Sequence, residues 1–279
     1  MKQINANEIT ARLSELIKNA LIDVESETQK LIDCAIKKES SPMCIWALEQ
    51  IKENNEVATK TRSYACQDCG QAVLFVELGQ DLHVVGSLSD AINKGVELGY
   101  KDARKSVADP LTRLNTGTNT PAVIHYDVVS GDSLKITYLA KGAGSENMSK
   151  LFMLTPSKGE QGIIDCVVQT VVDAGANPCP PIVIGVGIGG TMEKCAILSK
   201  KALTRKTGTP NKDKNVAQLE QKILKKVNDT GIGAQGFGGD VTALAVAVET
   251  APTHIGMLPV AVNMQCHSVR HFSTTFEGK

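Results

Sequence analysis

Three cysteines stand in loops at the ends of predicted elements instead of on apolar stripes: Cys66, Cys179 and Cys266. Three thiolates from well-separated segments can converge on one iron–sulfur cluster and leave its fourth iron without a protein ligand. Such an open iron is a Lewis acid able to bind a hydroxyl or carboxylate oxygen. Cys66 also belongs to the run Tyr64-Ala65-Cys66-Gln67-Asp68-Cys69-Gly70, whose Cys-x-x-Cys spacing admits three readings. A zinc site needs a second ligand pair at similar spacing, and the chain has none. A thioredoxin-type pair belongs at a helix start, whereas this one leads into a strand. In the third reading one of the two thiols binds a metal alone.

Cys179 lies in Gly175-Ala-Asn-Pro-Cys-Pro-Pro, followed by Ile182 to Val186 and the glycines Gly185, Gly187, Gly189 and Gly190. Gly175 is a helix stop, and the prolines forbid continuation. Pro178, Pro180 and Pro181 are expected to hold Cys179 in an extended backbone. The apolar run is a short buried strand, the glycines form a turn, and Thr191 opens the next helix. Lys141-Gly-Ala-Gly-Ser-Glu-Asn at another strand end is either an ordinary turn or a nest of backbone donors for an anion.

The elements that position these loops are legible from periodicity. Leu13, Leu16, Ile17, Ala20, Leu21 and Val24 trace one helix face. Ser41 as cap and Pro42 as first residue mark a second helix, and Cys34 and Cys44 are expected to sit in the core on apolar stripes. A strand covers residues 72–78. Ser87 or Ser89 opens a helix through roughly Ser106, with Lys101, Arg104 and Lys105 complementing its dipole. Residues 122–129 and 134–140 flank Ser-Gly-Asp-Ser, which predicts a β-hairpin. A helix over 163–174, with Cys166 inside its stripe, precedes Gly175, and Cys195 lies on the apolar line of the next helix. Strands at 240–249 and 257–264 flank a loop carrying His254. Gly231 to Gly239 is too glycine-dense for helix or regular strand.

Hydrophobic residues make up 42% of the 279, enough for a real core, but aromatics are only 4%, so that core is aliphatic. The formal net charge of zero argues against nucleic-acid or membrane electrostatics. The cations between Lys200 and Lys226 have no interleaved aromatics and read as a solvated helical face. There is no apolar run of about 20 residues and no signal-peptide pattern at the N-terminus. Eight cysteines without an export signal point to reduced thiols or metal ligands rather than disulfides, and to a cytoplasmic location. The expectation is one mixed α/β (α+β) domain over 1–279, with a helical part to about residue 60 and then a mixed sheet with glycine-rich loops.

Cys66-Gln67-Asp68, Lys141-Gly142-Ala143-Gly144-Ser145, Asn177-Pro178-Cys179-Pro180-Pro181, Gly187-Ile188-Gly189-Gly190-Thr191 and Pro252-Thr253-His254 agree in order and spacing with one family. Across nearly its whole length the chain resembles the N-terminal half, or α subunit, of class I fumarate hydratases and tartrate dehydratases. The resemblance implies a [4Fe-4S] hydro-lyase that interconverts a 2-hydroxy-dicarboxylate with its dehydrated product, fumarate and malate being the first expectation and tartrate the alternative. It implies Cys66, Cys179 and Cys266 as cluster ligands, with Asp68 and His254 as acid–base groups. Gln67, Arg104, Gly142 and Gly144 would contact substrate, Arg104 through a carboxylate fork. Two positions depart from the family: Cys69 stands where threonine is usual, and Ala143 where glycine is commoner.

The chain ends just after the last cluster cysteine, so the resemblance also implies a separate β subunit that completes the site, and hence a hetero-oligomer. A strand of the length of residues 257–264 spans roughly 25 Å. His254 therefore reaches the site through the preceding loop or across subunits. Two rival readings remain open: a nucleotide-binding module using Gly185 to Gly190, which lacks the lysine of a P-loop, and an accessory subunit with buried thiols and no iron.

Overall fold

The structure, a computed structural model, describes residues 2–279. Its elements run in chain order as β1 Lys2–Asn5, α1 Ala6–Ile22, α2 Ser26–Lys38, α3 Pro42–Thr61, β2 Gln71–Gly79 and β3 Leu82–Val85. Next come α4 Leu88–Gly99, β4 Val123–Val129, β5 Ser133–Lys141, the single turn α5 Ala143–Glu146, β6 Lys150–Leu154 and α6 Gly159–Ala174. The chain continues through β7 Ile182–Gly189, α7 Met192–Ala202, α8 Lys214–Asn228, β8 Ala243–Ala251, β9 Leu258–Gln265 and β10 His271–Glu277. Helices and mixed sheets alternate, which is the expected α/β class. Two compact units form: one from the residues up to Val24, Val57–Ala143 and Arg270–Lys279, the other from Glu25–Glu56 and Gly144–Val269.

In the first unit a four-stranded sheet has the order β10-β5-β2-β4, and β1 pairs in parallel with β3. α1 starts because the Asn5 side chain accepts the Asn7 N–H at 2.9 Å, and it buries Ile9, Leu13, Ile17, Ala20 and Leu21 in the core. α4 is capped by Ser87 as expected but ends at Gly99, well before Ser106. The reason is local. Tyr100 turns fully into the core, and the buried Asn119 carboxamide oxygen takes the N–H groups of Ser106 and Val107 that a continuing helix would use. Arg104 and its neighbours therefore lie in irregular chain beyond the helix.

The predicted hairpin does not form. β2 lies between β4 and β5, parallel to the first and antiparallel to the second. Residues 72–76 of β2 are buried on both faces, so this strand takes the sheet's interior, while β4 is an exposed edge. The Ser-Gly-Asp link instead crosses the end of β2. There a Cβ on Gly79 would stand 2.5 Å from the Gly131 carbonyl, so only glycine fits.

In the second unit the sheet order is β6-β9-β7-β8, with β7 parallel to β8 and antiparallel to β9. β7 is buried along its whole length. Its residues alternate between two helical layers: Ile182, Ile184, Val186 and Ile188 join the core made with α6 and α8. Each such fully buried aliphatic contributes about 1.5–3 kcal/mol. On the opposite face a Cβ at Gly185 or Gly187 would come within 2.1 and 2.0 Å of the α7 carbonyls of Ser199 and Cys195. The first glycines of the run are therefore strand residues that let α7 lie flat on the sheet. The turn itself needs only Gly189 and Gly190 (φ 87° and 69°). Close packing accounts for the pattern that suggested a nucleotide loop. Of the four cysteines expected in the core here, Cys44, Cys166 and Cys195 are buried, whereas Cys34 faces out from α2.

Candidate active site

At one end of the first unit's sheet, the N-terminus of β2 and the C-terminus of β5 lie side by side, with Gln71 opposite Lys141. The loops that lead into and out of this corner carry Cys66-Gln67-Asp68 and Gly142-Ala143. The Asp68 carboxylate joins them: Oδ1 accepts the Gly70 N–H at 2.9 Å and Oδ2 accepts the Ala143 N–H at 2.8 Å. Asn119, fully buried, donates its Nδ2 to the Gly70 carbonyl at 3.1 Å while its oxygen holds Ser106 and Val107. The Arg104 N–H donates to the Cys69 sulfur. These bonds draw together the segments that carry Cys66, Gln67, Asp68, Arg104 and Gly142. The side chains of Gln67 and Arg104 point to solvent, and Asp68 is half-buried.

Behind this loop the phenol of Tyr100 donates to the Cys69 carbonyl at 3.0 Å and shares a 2.6 Å bond with Tyr138. Burial pushes both tyrosines well above their ordinary value, so they stay neutral donors. The guanidinium of the buried Arg270 lies near enough to favour ionisation of Cys69 and both phenols. Tyr100, Tyr138, Asn119 and Arg270 were missed in the sequence. The only available signal was two tyrosines in a chain so poor in aromatics.

The two departures from the family pattern have local explanations. Cys69 is buried beneath the loop, burial raises its thiol above the usual range, and its S–H points to the Cys66 carbonyl at 3.8 Å. That is the work a threonine hydroxyl does, donating to a nearby carbonyl. Ala143 opens α5 at negative φ, so the position asks for no glycine, and its N–H is engaged by Asp68.

In the second unit Cys179 and Cys266 lie at the same end of the sheet. Cys179 precedes β7, Cys266 follows the antiparallel β9, and Val183 stands opposite Gln265. Gly144 and Asn177 share that end: a Cβ on Gly144 would lie 3.1 Å from the Asn177 carbonyl, and Asn177 donates to the Met148 sulfur at 3.6 Å. Cys179 is not extended as expected but left-handed, with φ 56°. Its N–H closes a turn onto the Ala176 carbonyl at 3.0 Å, and the buried rings of Pro178 and Pro180 flank the exposed thiol. A non-glycine residue held at such φ is a strained position of the kind found at functional sites.

His254 lies at the other end of that sheet, in the exposed β8–β9 loop. The Gly256 N–H donates to its Nδ1 at 3.1 Å, so the neutral ring carries its proton on Nε2. It borders a cavity of about 530 Å³ lined by Pro156, Ile163, Ile188, Val216 and Leu219, with Thr250, Thr253 and Asn215 among its polar members. Its walls are mostly apolar.

Among the described residues no three His, Cys, Asp or Glu side chains are close enough to share one metal ion. Ligands of a cubane each bind a different iron and do not need to be. None of the eight cysteines forms a disulfide. They sort cleanly. Cys44, Cys69, Cys166 and Cys195 are buried, and burial raises every one of these thiols. Cys66, Cys179 and Cys266 are accessible at element ends. No helix among the described residues is long and apolar enough to cross a membrane.

Residues 10–275 match the family described as Fumarate hydratase (Fumerase), and the chain belongs to that family of hydro-lyases. A protein of Methanocaldococcus jannaschii named "Putative L(+)-tartrate dehydratase subunit alpha" is 41% identical, the match covering 92% of this chain and 93% of that one. The L(+)-tartrate dehydratase subunits alpha of Escherichia coli and Shigella sonnei are each 29% identical over all of this chain and 97% of theirs. These matches cover nearly all of this chain and of each relative.

Proposed function

We propose that this chain is the α subunit of a [4Fe-4S]-dependent hydro-lyase acting on a four-carbon 2-hydroxy-dicarboxylate, with Cys66, Cys179 and Cys266 as the thiolates that hold the cluster. The observation that carries the reading is the sorting of the cysteines. The three at the matching motif positions are accessible at strand ends, whereas four others are sequestered with raised thiols. Accessible thiols can ionise and ligate, while buried ones stay protonated. When bound, the cluster would supply a Lewis-acidic iron that eases departure of hydroxide, a poor leaving group.

The chain's own residues supply positioning and proton handling. Asp68 is oriented by two backbone amides beside Cys66 and is the candidate to take the proton from the carbon next to a carboxylate. Arg104 extends into solvent from a backbone fixed on Cys69, and its guanidinium suits a substrate carboxylate better than an ammonium would. Gln67 and the backbone of Gly142 and Gly144 are further candidates for the substrate's oxygens. His254 is the second acid–base candidate, its proton on Nε2.

Malate dehydrated to fumarate is the first reaction expected. The names of the relatives favour a second, L(+)-tartrate dehydrated to oxaloacetate. A separate β subunit is inferred from the same names, with a cytoplasmic heteromer as the working assembly. Anaerobic purification with a coexpressed β subunit, iron and sulfide analysis, and parallel assays on malate and L(+)-tartrate test the proposal. Protein that takes up iron and sulfide and turns over one of the two substrates is the expected result. A preparation that takes up no iron refutes the reading.

A further inference from the structure

The glycine-rich segment 231–239 has no part in the function proposed above, yet it is fastened at both sides. On one side Glu39 accepts the N–H groups of Asp240 and Val241 at 2.8–3.0 Å, and the buried Cys44 sulfur accepts the Ala234 N–H at 3.0 Å. Thr242 Oγ1 accepts the Gly233 N–H at 3.1 Å. Within the loop, Gly238 N–H donates to the Ile232 carbonyl and Gly239 N–H to that of Gly231.

On the other side a single residue projects. Gln235, the only amide side chain among these glycines, donates both its backbone N–H (2.8 Å) and its Nε2 (2.7 Å) to the Pro180 carbonyl. It does so from a left-handed backbone with φ 54°, facing Cys179 at φ 56°. The next residue, Gly236, packs on Ala176, where a Cβ would stand 2.7 Å from the Ala176 Cβ. Ala176 is also the acceptor that closes the Cys179 turn. Two strained non-glycine residues thus meet across one carbonyl, and the anchors behind the loop leave it little freedom to yield.

We propose that Gln235 is a positioning residue for Cys179: its two donors on the Pro180 carbonyl, backed by the anchored loop, hold the Cys179 backbone left-handed and so fix where its thiolate stands. The role as a cluster-positioning residue rests on the assignment of Cys179 as a ligand, whereas the hold on the Cys179 turn does not.

Gln235→Glu keeps size and shape but places an oxygen where Nε2 donates. Gln235→Gly relieves the backbone and keeps the N–H but removes the amide. Gln235→Asn keeps an amide on a residue that tolerates left-handed φ. In the full chain with its β subunit, cluster-free, the alkylation rate of Cys179 relative to the exposed reference thiol Cys34 is read by peptide mapping. For the Glu and Gly variants it should change by about fivefold, the worth of one hydrogen bond, while the Cys34 rate changes little. Asn should fall closer to wild type. After anaerobic reconstitution, Gln235→Glu should show an altered cluster resonance and faster iron loss than wild type. An unchanged Cys179 rate in both Glu and Gly variants, with an unaltered resonance, overturns the proposal. Should the wild type bind no iron, the cluster reading fails, and the alkylation rates still decide whether Gln235 holds the turn.

Discussion

The Asp68 carboxylate accepts the backbone N–H of Ala143 at 2.8 Å, and by that bond the Cys66 loop and the loop that follows β5 become one structure. The other oxygen is held by Gly70. A carboxylate pinned at both oxygens cannot swing between rotamers, so any proton it handles is handled from one fixed direction. Each oxygen keeps a further lone pair for substrate. Orientation and structural support are the same two bonds.

Asp68→Asn separates these roles. An amide can satisfy only one of the two N–H groups and turns its own NH2 on the other, a cost of about 1–3 kcal/mol. The melting temperature should drop by several degrees and kcat should fall with iron content retained. An unchanged melting temperature means that the two backbone bonds do not form. Unchanged kcat removes Asp68 from the chemistry.

Cys69 tests whether the neighbouring thiol competes for iron. Its sulfur is buried and directed at the Cys66 carbonyl, and its thiol is held protonated by burial. Cys69→Ser should therefore reconstitute with nearly wild-type iron, because a hydroxyl can make the same donation. Cys66→Ser should lose most of it. Equal iron loss in both variants would assign Cys69 to the ligand set.

Much of this site was legible in sequence because cysteines, prolines and glycines at element ends have few structural uses. Cys66, Cys179 and Cys266 are accessible at element ends, as loop placement predicted. What escaped was tertiary. The Ser-Gly-Asp link has the chemistry of a hairpin turn, but the more buried β2 claims the place between the two strands. Three prolines around Cys179 suggested an extended backbone, yet the turn onto Ala176 and the grip of Gln235 on Pro180 put it left-handed. α4 stops at Gly99 because of where Tyr100 and Asn119 bury, which no helical period records. Gln235 itself was hidden in a glycine run whose fastening comes from Glu39 and Cys44, far away in sequence.

Those fastenings carry a pH dependence. Burial, with the Glu39 carboxylate nearby, pushes the Cys44 thiol up to about 11, whereas an unfolded thiol ionises near roughly 8.5. Between those values the unfolded chain has lost the proton and the native one has kept it. Stability from this group is therefore complete below the unfolded value and is lost as pH rises toward about 11. Burial alone would raise Glu39 as well, but the N–H groups of Ser41, Asp240 and Val241 outweigh it and keep the carboxyl ionised. Cys44→Ser keeps an acceptor for Ala234 and does not titrate. Its melting temperature should fall less steeply than that of wild type from roughly pH 8.5 to 10.5. Parallel slopes would show that Cys44 ionises normally in the fold.

His254 poses the sharpest geometric question. It precedes β9 and Cys266 follows it, and eight extended residues span roughly 25 Å. Within its own unit His254 is therefore at the opposite end of the sheet from Cys179 and Cys266, exposed beside mostly apolar walls. If it serves the reaction, it serves the site of another copy. A complementation experiment decides this. His254→Asn keeps all three candidate ligands, and Cys266→Ser keeps the histidine, so each alone should be nearly inactive. In an isologous dimer assembled at random from both, half the dimers are mixed and one of their two sites has every group intact. About a quarter of wild-type activity should return. If His254 acts within its own chain, the mixture stays as inactive as its parts. Full activity of His254→Asn alone, at verified iron content, would remove the histidine from the mechanism.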